Sequence, residues 1–217
     1  MKQIYQTDPW LEPFKDAINA RHERILQAGK RIAGDGLLKD AVNNHMYYGL
    51  HRCDDGSWIF REYAPNASKI YLVGDFNNWK RTEGYALKPL GAGNWEIRLP
   101  EMFMSHGQLY KLYIEWPGGG GERLPSYVTR VVQDDVTKVF CAQVWDPAKK
   151  YVWKHGHAGK RPHPFIYECH IGMASEKEKV GTFEEFRRDV LPRVKKLGYD
   201  TIQIMALQEH PYYGSFG

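Results

Sequence analysis

Between Tyr48 and Val144 the sequence breaks into six short runs rich in Val, Ile, Tyr, Phe or Trp: Ser57–Tyr63, Lys69–Gly74, Asn94–Leu99, Leu109–Trp116, Tyr127–Val132 and Lys138–Val144. Each is bounded by Gly, Pro, Asn or Asp, the pattern of strands separated by turns. Strands this short and this regularly spaced predict an antiparallel β-sandwich of immunoglobulin-like type over residues 48–147. Trp116-Pro117-Gly-Gly-Gly-Gly121 reads as a flexible loop tip. Trp145-Asp146-Pro147 closes the sandwich.

The segments on either side carry a different period. Asp8-Pro9 is a helix start, an N-cap residue with Pro in the first helical position. Leu11, Phe14, Ile18 and Ile25 recur at helical spacing out to about Ile32, and Ala33-Gly-Asp-Gly36 ends the helix. A second short helix is expected over Leu37–Asn43. Residues 1–47 thus read as a helical brace on the sandwich. Residues 148–164 are a polar linker holding His155, His157 and His163, which read as solvated side chains and not as metal ligands.

From residue 165 the order is strand, helix, strand. Phe165–Ile171 and Thr201–Leu207 are apolar without strict alternation, as in parallel strands covered on both faces. The helix between them opens with a Thr182–Glu185 capping box and ends at Gly198. Phe183, Phe186, Val190, Val194 and Leu197 are expected on its buried face, and Pro192 is expected to kink it. Residues 165–217 therefore read as the first β-α-β of a (β/α)8 barrel that this sequence leaves incomplete. Unpaired strand edges are expected there. The fold class is mixed: N-terminal helices, a β-sandwich, and this unit.

Composition narrows the partners. The net charge is +4 with both signs interspersed and no dense Lys/Arg block, so no nucleic-acid partner is expected. No run approaches the ~18 apolar residues of a membrane span, and no apolar leader stretch stands at the start. Cys53, Cys141 and Cys169 are odd in number and widely spaced, which fits a reducing, cytoplasmic setting. Fourteen Tyr and seven Trp are enough to supply both a core and a surface that stacks on flat ligands.

Sugar rings present C–H faces that stack on aromatics and hydroxyls that need polar partners. Gly74-Asp-Phe-Asn-Asn-Trp79 offers both, on a turn that follows a strand. The local residues leave two readings of Trp79 open: a stacking face, or a core side chain that anchors the loop.

Arg61-Glu-Tyr-Ala-Pro65, Val73-Gly-Asp-Phe-Asn-Asn-Trp79 and Gly93-Asn-Trp-Glu-Ile97 together resemble carbohydrate-binding module family 48. Three further segments resemble the start of a glycoside hydrolase family 13 barrel: Tyr167-Glu-Cys-His-Ile-Gly-Met173, Val190–Tyr199 and Gln203–Gly217. They are most similar to glycogen and starch branching enzymes of the eukaryotic type, and the similarity reaches back to Asp8-Pro-Trp-Leu11.

The resemblance implies a reaction: cutting an α-1,4-glucan and transferring the segment to a 6-hydroxyl, by retaining chemistry on a carboxylate pair. It implies no cofactor and no metal. In the family the catalytic acids lie on later barrel strands, so no catalytic residue is assigned here. Glu168, Glu209, His170 and His210 read as structural groups. The partner implied is α-glucan, as glycogen, starch or maltooligosaccharides. The resemblance carries substrate contact to Trp79, Tyr63, Ala64, Pro65, Gly91 and Asn94, and by a looser match to Asp35. Tyr63 stands where relatives often have Trp. Lys88 and Lys111 read as ordinary surface lysines or as donors to sugar hydroxyls, and Trp95 as core.

Three roles stay open at this level: the N-terminal part of a branching enzyme that binds glucan without catalysing, a free-standing glucan-targeting module, and a partner-binding protein with no sugar role. Neither enzymatic activity in isolation nor oligomeric state is fixed by these residues.

Overall fold

The computed structural model describes residues 3–208 and His210. The N-terminal part is helical. Asp8 caps its turn by accepting from the Trp10 amide at 3.0 Å, and Pro9–Phe14 is a tight 3-10 segment. Pro13 denies that segment an α-type amide, and the regular helix runs only from Lys15 to Ala33. Short helical turns follow at Leu38–Ala41 and Asn44–Tyr47. None of these elements buries a side chain: Phe14, Ile25 and Ile32 are all more than half exposed. The sequence periodicity is there, yet no described residue covers it to the depth expected of a brace.

The sandwich strands are β1 (Gly49–Arg52), β2 (Trp58–Tyr63), β3 (Lys69–Gly74), β4 (Lys88–Gly91), β5 (Asn94–Leu99), β6 (Leu109–Trp116), β7 (Gly119–Arg123), β8 (Val131–Gln133) and β9 (Phe140–Gln143). One sheet has the order β1-β2-β5-β4, the other β3-β6-β9-β8, and all their pairings are antiparallel. One edge of β6 takes β3. Its other edge is shared, Leu109 and Tyr110 pairing with β9 and Leu112–Trp116 with β7. Phe60, Trp95, Ile97 and Leu99 from the first sheet meet Ile70, Leu72, Tyr110 and Leu112 from the second in one buried cluster. Alternation along each strand puts these side chains on the inner faces.

Four sequence-predicted strands are observed within a residue of their expected limits. Two are shorter: only Val131–Gln133 and Phe140–Gln143 pair. The Tyr127 carbonyl instead lies close against Gly49, where a Cβ would come within 2.3 Å of it. Gly49 takes φ +88 there. The flexible loop tip expected at Trp116–Gly121 is not what forms. Pro117-Gly118 makes a two-residue turn with Gly118 at φ +88, and Gly119–Gly121 pair with Ile114–Trp116. Poor strand propensity is overridden because β6 offers an open edge.

The C-terminal part contains β10 (Ile166–His170) and β11 (Thr201–Met205), paired in parallel. The capping box forms, Glu185 N–H donating to Thr182 Oγ1 and Thr182 N–H to the Glu185 carboxylate. The single kinked helix does not. Phe186–Val190 widens into a π turn in which the Leu191 amide reaches back to the Phe186 carbonyl, and Leu191–Lys196 resumes with Pro192 in its first turn. Pro192 there has no amide to lose. Phe186, Val190 and Val194 are buried with Cys169 and Ile171, whereas Phe183 and Leu197 are 65% and 68% exposed, against expectation. No helix among the described residues is long and apolar enough to cross a membrane.

Candidate carbohydrate site

At one end of the sandwich β2 runs out at Tyr63 and β5 begins at Asn94, and these two residues are register partners. The connection from β4 to β5 is Gly91-Ala-Gly93, all three with positive φ. Gly93 is obligatory for two reasons. Its φ is +82, and a Cβ would come within 2.9 Å of Pro65 and of the Tyr63 ring. Tyr63 and Pro65 thus lie directly over a bare glycine. Ala64 is locked to the same turn, its amide donating to Gly93 O at 2.8 Å and its carbonyl accepting from the buried Trp95 indole at 3.0 Å.

Asn94 is the bracket of this corner. Its Nδ2 donates to Gly91 O at 3.1 Å and its Oδ1 accepts from the Tyr48 hydroxyl. Burial, reinforced by neighbouring phenols and Glu62, raises the Tyr48 pKa above the usual phenol value, so the hydroxyl keeps its proton. Tyr48 also stacks on Tyr127 and meets Tyr63 edge-on. Behind this corner Glu62, almost wholly buried, accepts from the Ser126 amide at 3.0 Å and so ties the 124–127 loop to β2. The outcome is a rigid edge on which Tyr63 stays 52% exposed.

Trp79 belongs to a second structure. Gly74 ends β3 where a Cβ would lie 2.4 Å from Leu109 O. Asn77 then bridges back, accepting from the Gly74 amide and donating to Leu72 O, both at 3.0 Å. Asn78 and Trp79 follow at φ +51 and +59, a strained pair held by Trp79 N–H to Gly74 O at 2.9 Å. Asp75 fixes the ring: one oxygen takes the Trp79 indole N–H at 3.1 Å, the other the Leu109 amide at 2.7 Å. A ring that is 37% exposed and pinned at its nitrogen is a preset plane, not a core anchor.

The structure brings Tyr63, Ala64, Pro65, Gly91 and Asn94 together and leaves Trp79 outside that group. Trp79 starts from the Gly74 end of β3, whereas Pro65 leads into the Lys69 end, about 17 Å away along the strand. Asp35 is exposed in the turn after the Lys15–Ala33 helix. Lys111 is spoken for, its Nζ 2.9 Å from Glu122. Lys88 is exposed on β4. Sequence reasoning did not find Tyr48, whose role depends on a partner 46 residues away. In the C-terminal unit Glu168 accepts from Gln203 at 3.4 Å across the β10–β11 pair, and His210 Nδ1 lies 2.8 Å from Gln208 O. Glu209 lies outside the described residues. His155, His157 and His163 are exposed.

Residues 47–135 match the family described as carbohydrate-binding module 48 (isoamylase N-terminal domain). Over 222 residues the chain is 37% identical to a 1,4-alpha-glucan-branching enzyme of Dictyostelium discoideum, covering 99% of this chain and 32% of that one. One from Aspergillus oryzae is 39% identical over 224 residues, again 99% of this chain and 32% of its own length. The chain thus spans about a third of the curated relatives it matches. Among solved structures, the catalytic module of the glycogen-degrading pneumococcal virulence factor SpuA superposes with a TM-score of 0.57 at 26% identity, over 73% of this chain and 26% of that one. Residues 47–135 thus match carbohydrate-binding module 48, in a chain that is similar along 99% of its length to about a third of the 1,4-alpha-glucan-branching enzymes.

Proposed function

We propose that this chain holds linear α-1,4-glucan, as glycogen, starch or maltooligosaccharides, for a branching reaction that cuts α-1,4 links and forms α-1,6 links. The observation that carries this reading is the preset edge at Tyr63 and Pro65, stacked over Gly93 and bracketed by Asn94, within a carbohydrate-binding module. Tyr63, Ala64 and Pro65 supply the apolar platform, Gly91 and Asn94 the turn beneath it, and Trp79 a separate contact. Asp35 completes the set as a more distant contact from the helical segment.

Residues 1–47, 48–147, 148–164 and 165–217 act as helical segment, binding module, linker and the first β-α-β of a (β/α)8 barrel. The parallel register of β10 and β11 supports the last assignment. The chain binds without catalysing. A retaining pair needs two carboxyls about 5–5.5 Å apart across a sugar, and Glu168 is engaged with Gln203. Three free thiols suit a reducing cytoplasm.

Retention of the purified chain on an amylose or glycogen matrix tests the reading. Weak binding, micromolar to millimolar, is expected, reduced in both Tyr63→Ala and Trp79→Ala. Retention unchanged in both variants would sink it.

A further inference from the structure

The Tyr63 platform has a neighbour on the other sheet. The loop Ala64–Ser68 leads into Lys69, Lys69 pairs with Glu115, and β6 ends at the next residue, Trp116. The Ser68 amide donates to Glu115 O at 2.7 Å, joining loop and strand. Pro65, Asn66, Ala67, Ser68, Trp116 and Pro117 consequently line one open groove of about 680 Å³ at the same end of the sandwich as Tyr63.

Trp116 is held flat in that groove. A Cβ on Gly119 would lie 3.1 Å from its indole nitrogen and one on Gly121 3.7 Å from its Cη2, so the ring lies along the glycine part of β7. The Arg123 guanidinium stacks 5.1 Å from the ring centre. The run of glycines thus leaves room for a fixed aromatic plane. Asn66 and Ser68, which line the same groove, are exposed and their side chains have no hydrogen-bond partner among the described residues. An immobilised aromatic plane sharing a groove with a neutral amide and a hydroxyl is the chemistry that recognises a sugar, with its apolar face and ring of hydroxyls.

We infer that Trp116, Asn66 and Ser68 form a second glucan subsite, contiguous through Pro65 with the Tyr63 platform. The inference rests on the glucan-binding reading above and extends it. One chain of several α-1,4-linked glucose units spans both sheets at this end of the module, while a short oligosaccharide occupies the Tyr63 side alone. Selection for longer glucan follows from that geometry.

The test is a titration of the isotope-labelled chain with maltotriose and, separately, maltoheptaose, followed by NMR. Maltoheptaose is expected to move the Gly93 amide, the Trp116 indole N–H and the Asn66 side-chain amide together. Trp116→Ala and Asn66→Ala should each weaken maltoheptaose by about three- to tenfold and change maltotriose by less than about twofold. Asn66→Ala guards against loss of the β6–β7 hairpin in the tryptophan variant, since Asn66 is exposed and outside it. If the Gly93 region shifts while Trp116 and Asn66 stay still, or if Asn66→Ala keeps full maltoheptaose affinity, the subsite is refuted and the Tyr63 platform stands. If nothing shifts at millimolar sugar, both readings fall.

Discussion

The sandwich and the β10–β11 unit both carry strand-and-turn signals in their sequence, yet they are held together differently. In the sandwich each sheet covers the other, and side chains such as Leu72, Leu112 and Val144 have no exposed surface. In the β10–β11 unit one segmented helix covers one face of two strands around five buried apolar residues, while Phe165, Ile166 and Ile204 remain exposed. Much of what fastens the latter is at the surface: Lys179 with Glu185, Arg187 with Glu184, and Arg161 with Asp200. Exposed pairs of this kind add little stability each. The lesson is that strand signals make strands, but a second apolar layer is what turns strands into a rigid platform.

The largest expected effect sharpens that contrast. Leu72→Ala empties the centre of the sandwich and should cost about 2–5 kcal/mol, lowering the whole sandwich transition. Val190→Ala should cost about 2 kcal/mol, and only locally: hydrogen exchange should quicken at β10 and β11 while β3 and β6 amides stay protected. Global unfolding in both variants would break the comparison.

Next comes Gly93→Ala. With φ +82 and Pro65 within 2.9 Å of the new Cβ, a loss of about 1–3 kcal/mol is expected. Glucan retention should fall with it, because Tyr63 and Pro65 must move. A variant of wild-type stability that still binds would show that the platform is not built on that glycine.

Thr182→Ala removes the N-cap of the helix over β10 and β11 and should cost about 1 kcal/mol. The sandwich should not respond. A denaturation curve read separately from the two regions checks this.

The smallest effect is a pH dependence. Its hydrogen bond with Lys179, assisted by the Thr182 amide, holds the Glu185 carboxyl down at about 2. Asp200 is lowered as well, chiefly by the Thr201 hydroxyl. Both are acids whose folded values lie below their unfolded ones. Their contribution is complete above about pH 4.5 and disappears as pH falls toward 2. Acid titration followed by amide exchange should therefore loosen 165–205 as pH falls toward 2, in parallel with the sandwich, where Asp55, Glu83 and Asp134 are lowered too, and exchange in 165–205 unchanged down to pH 2 would contradict the account.

The particular residues show where sequence reading succeeded. Lys69–Gly74, Asn94–Leu99 and Leu109–Trp116 are strands as expected because alternation and flanking turns are local signals. The Thr182–Glu185 box forms because its partners are three residues apart. Gly119–Arg123 escaped notice because its three glycines have no strand propensity, and only an open edge on β6 recruits them. The Phe183 and Leu197 assignments failed because the two residues stand at the ends of the helix, beyond the stretch from Phe186 to Val194 that is buried with Cys169 and Ile171.

By itself the sequence determined the element types, the turns that need Gly or Asn, and the aromatic and polar residues available to meet a sugar. All of these depend on neighbours a few residues apart. Tertiary structure alone decided which of those residues share a site: Tyr63 with Asn94, Tyr48 with Asn94, Pro65 with Trp116, and Trp79 apart from them. Sheet order and strand direction set those meetings, and they are fixed by how two sheets bury their apolar faces together, a property of the whole chain that no local window contains.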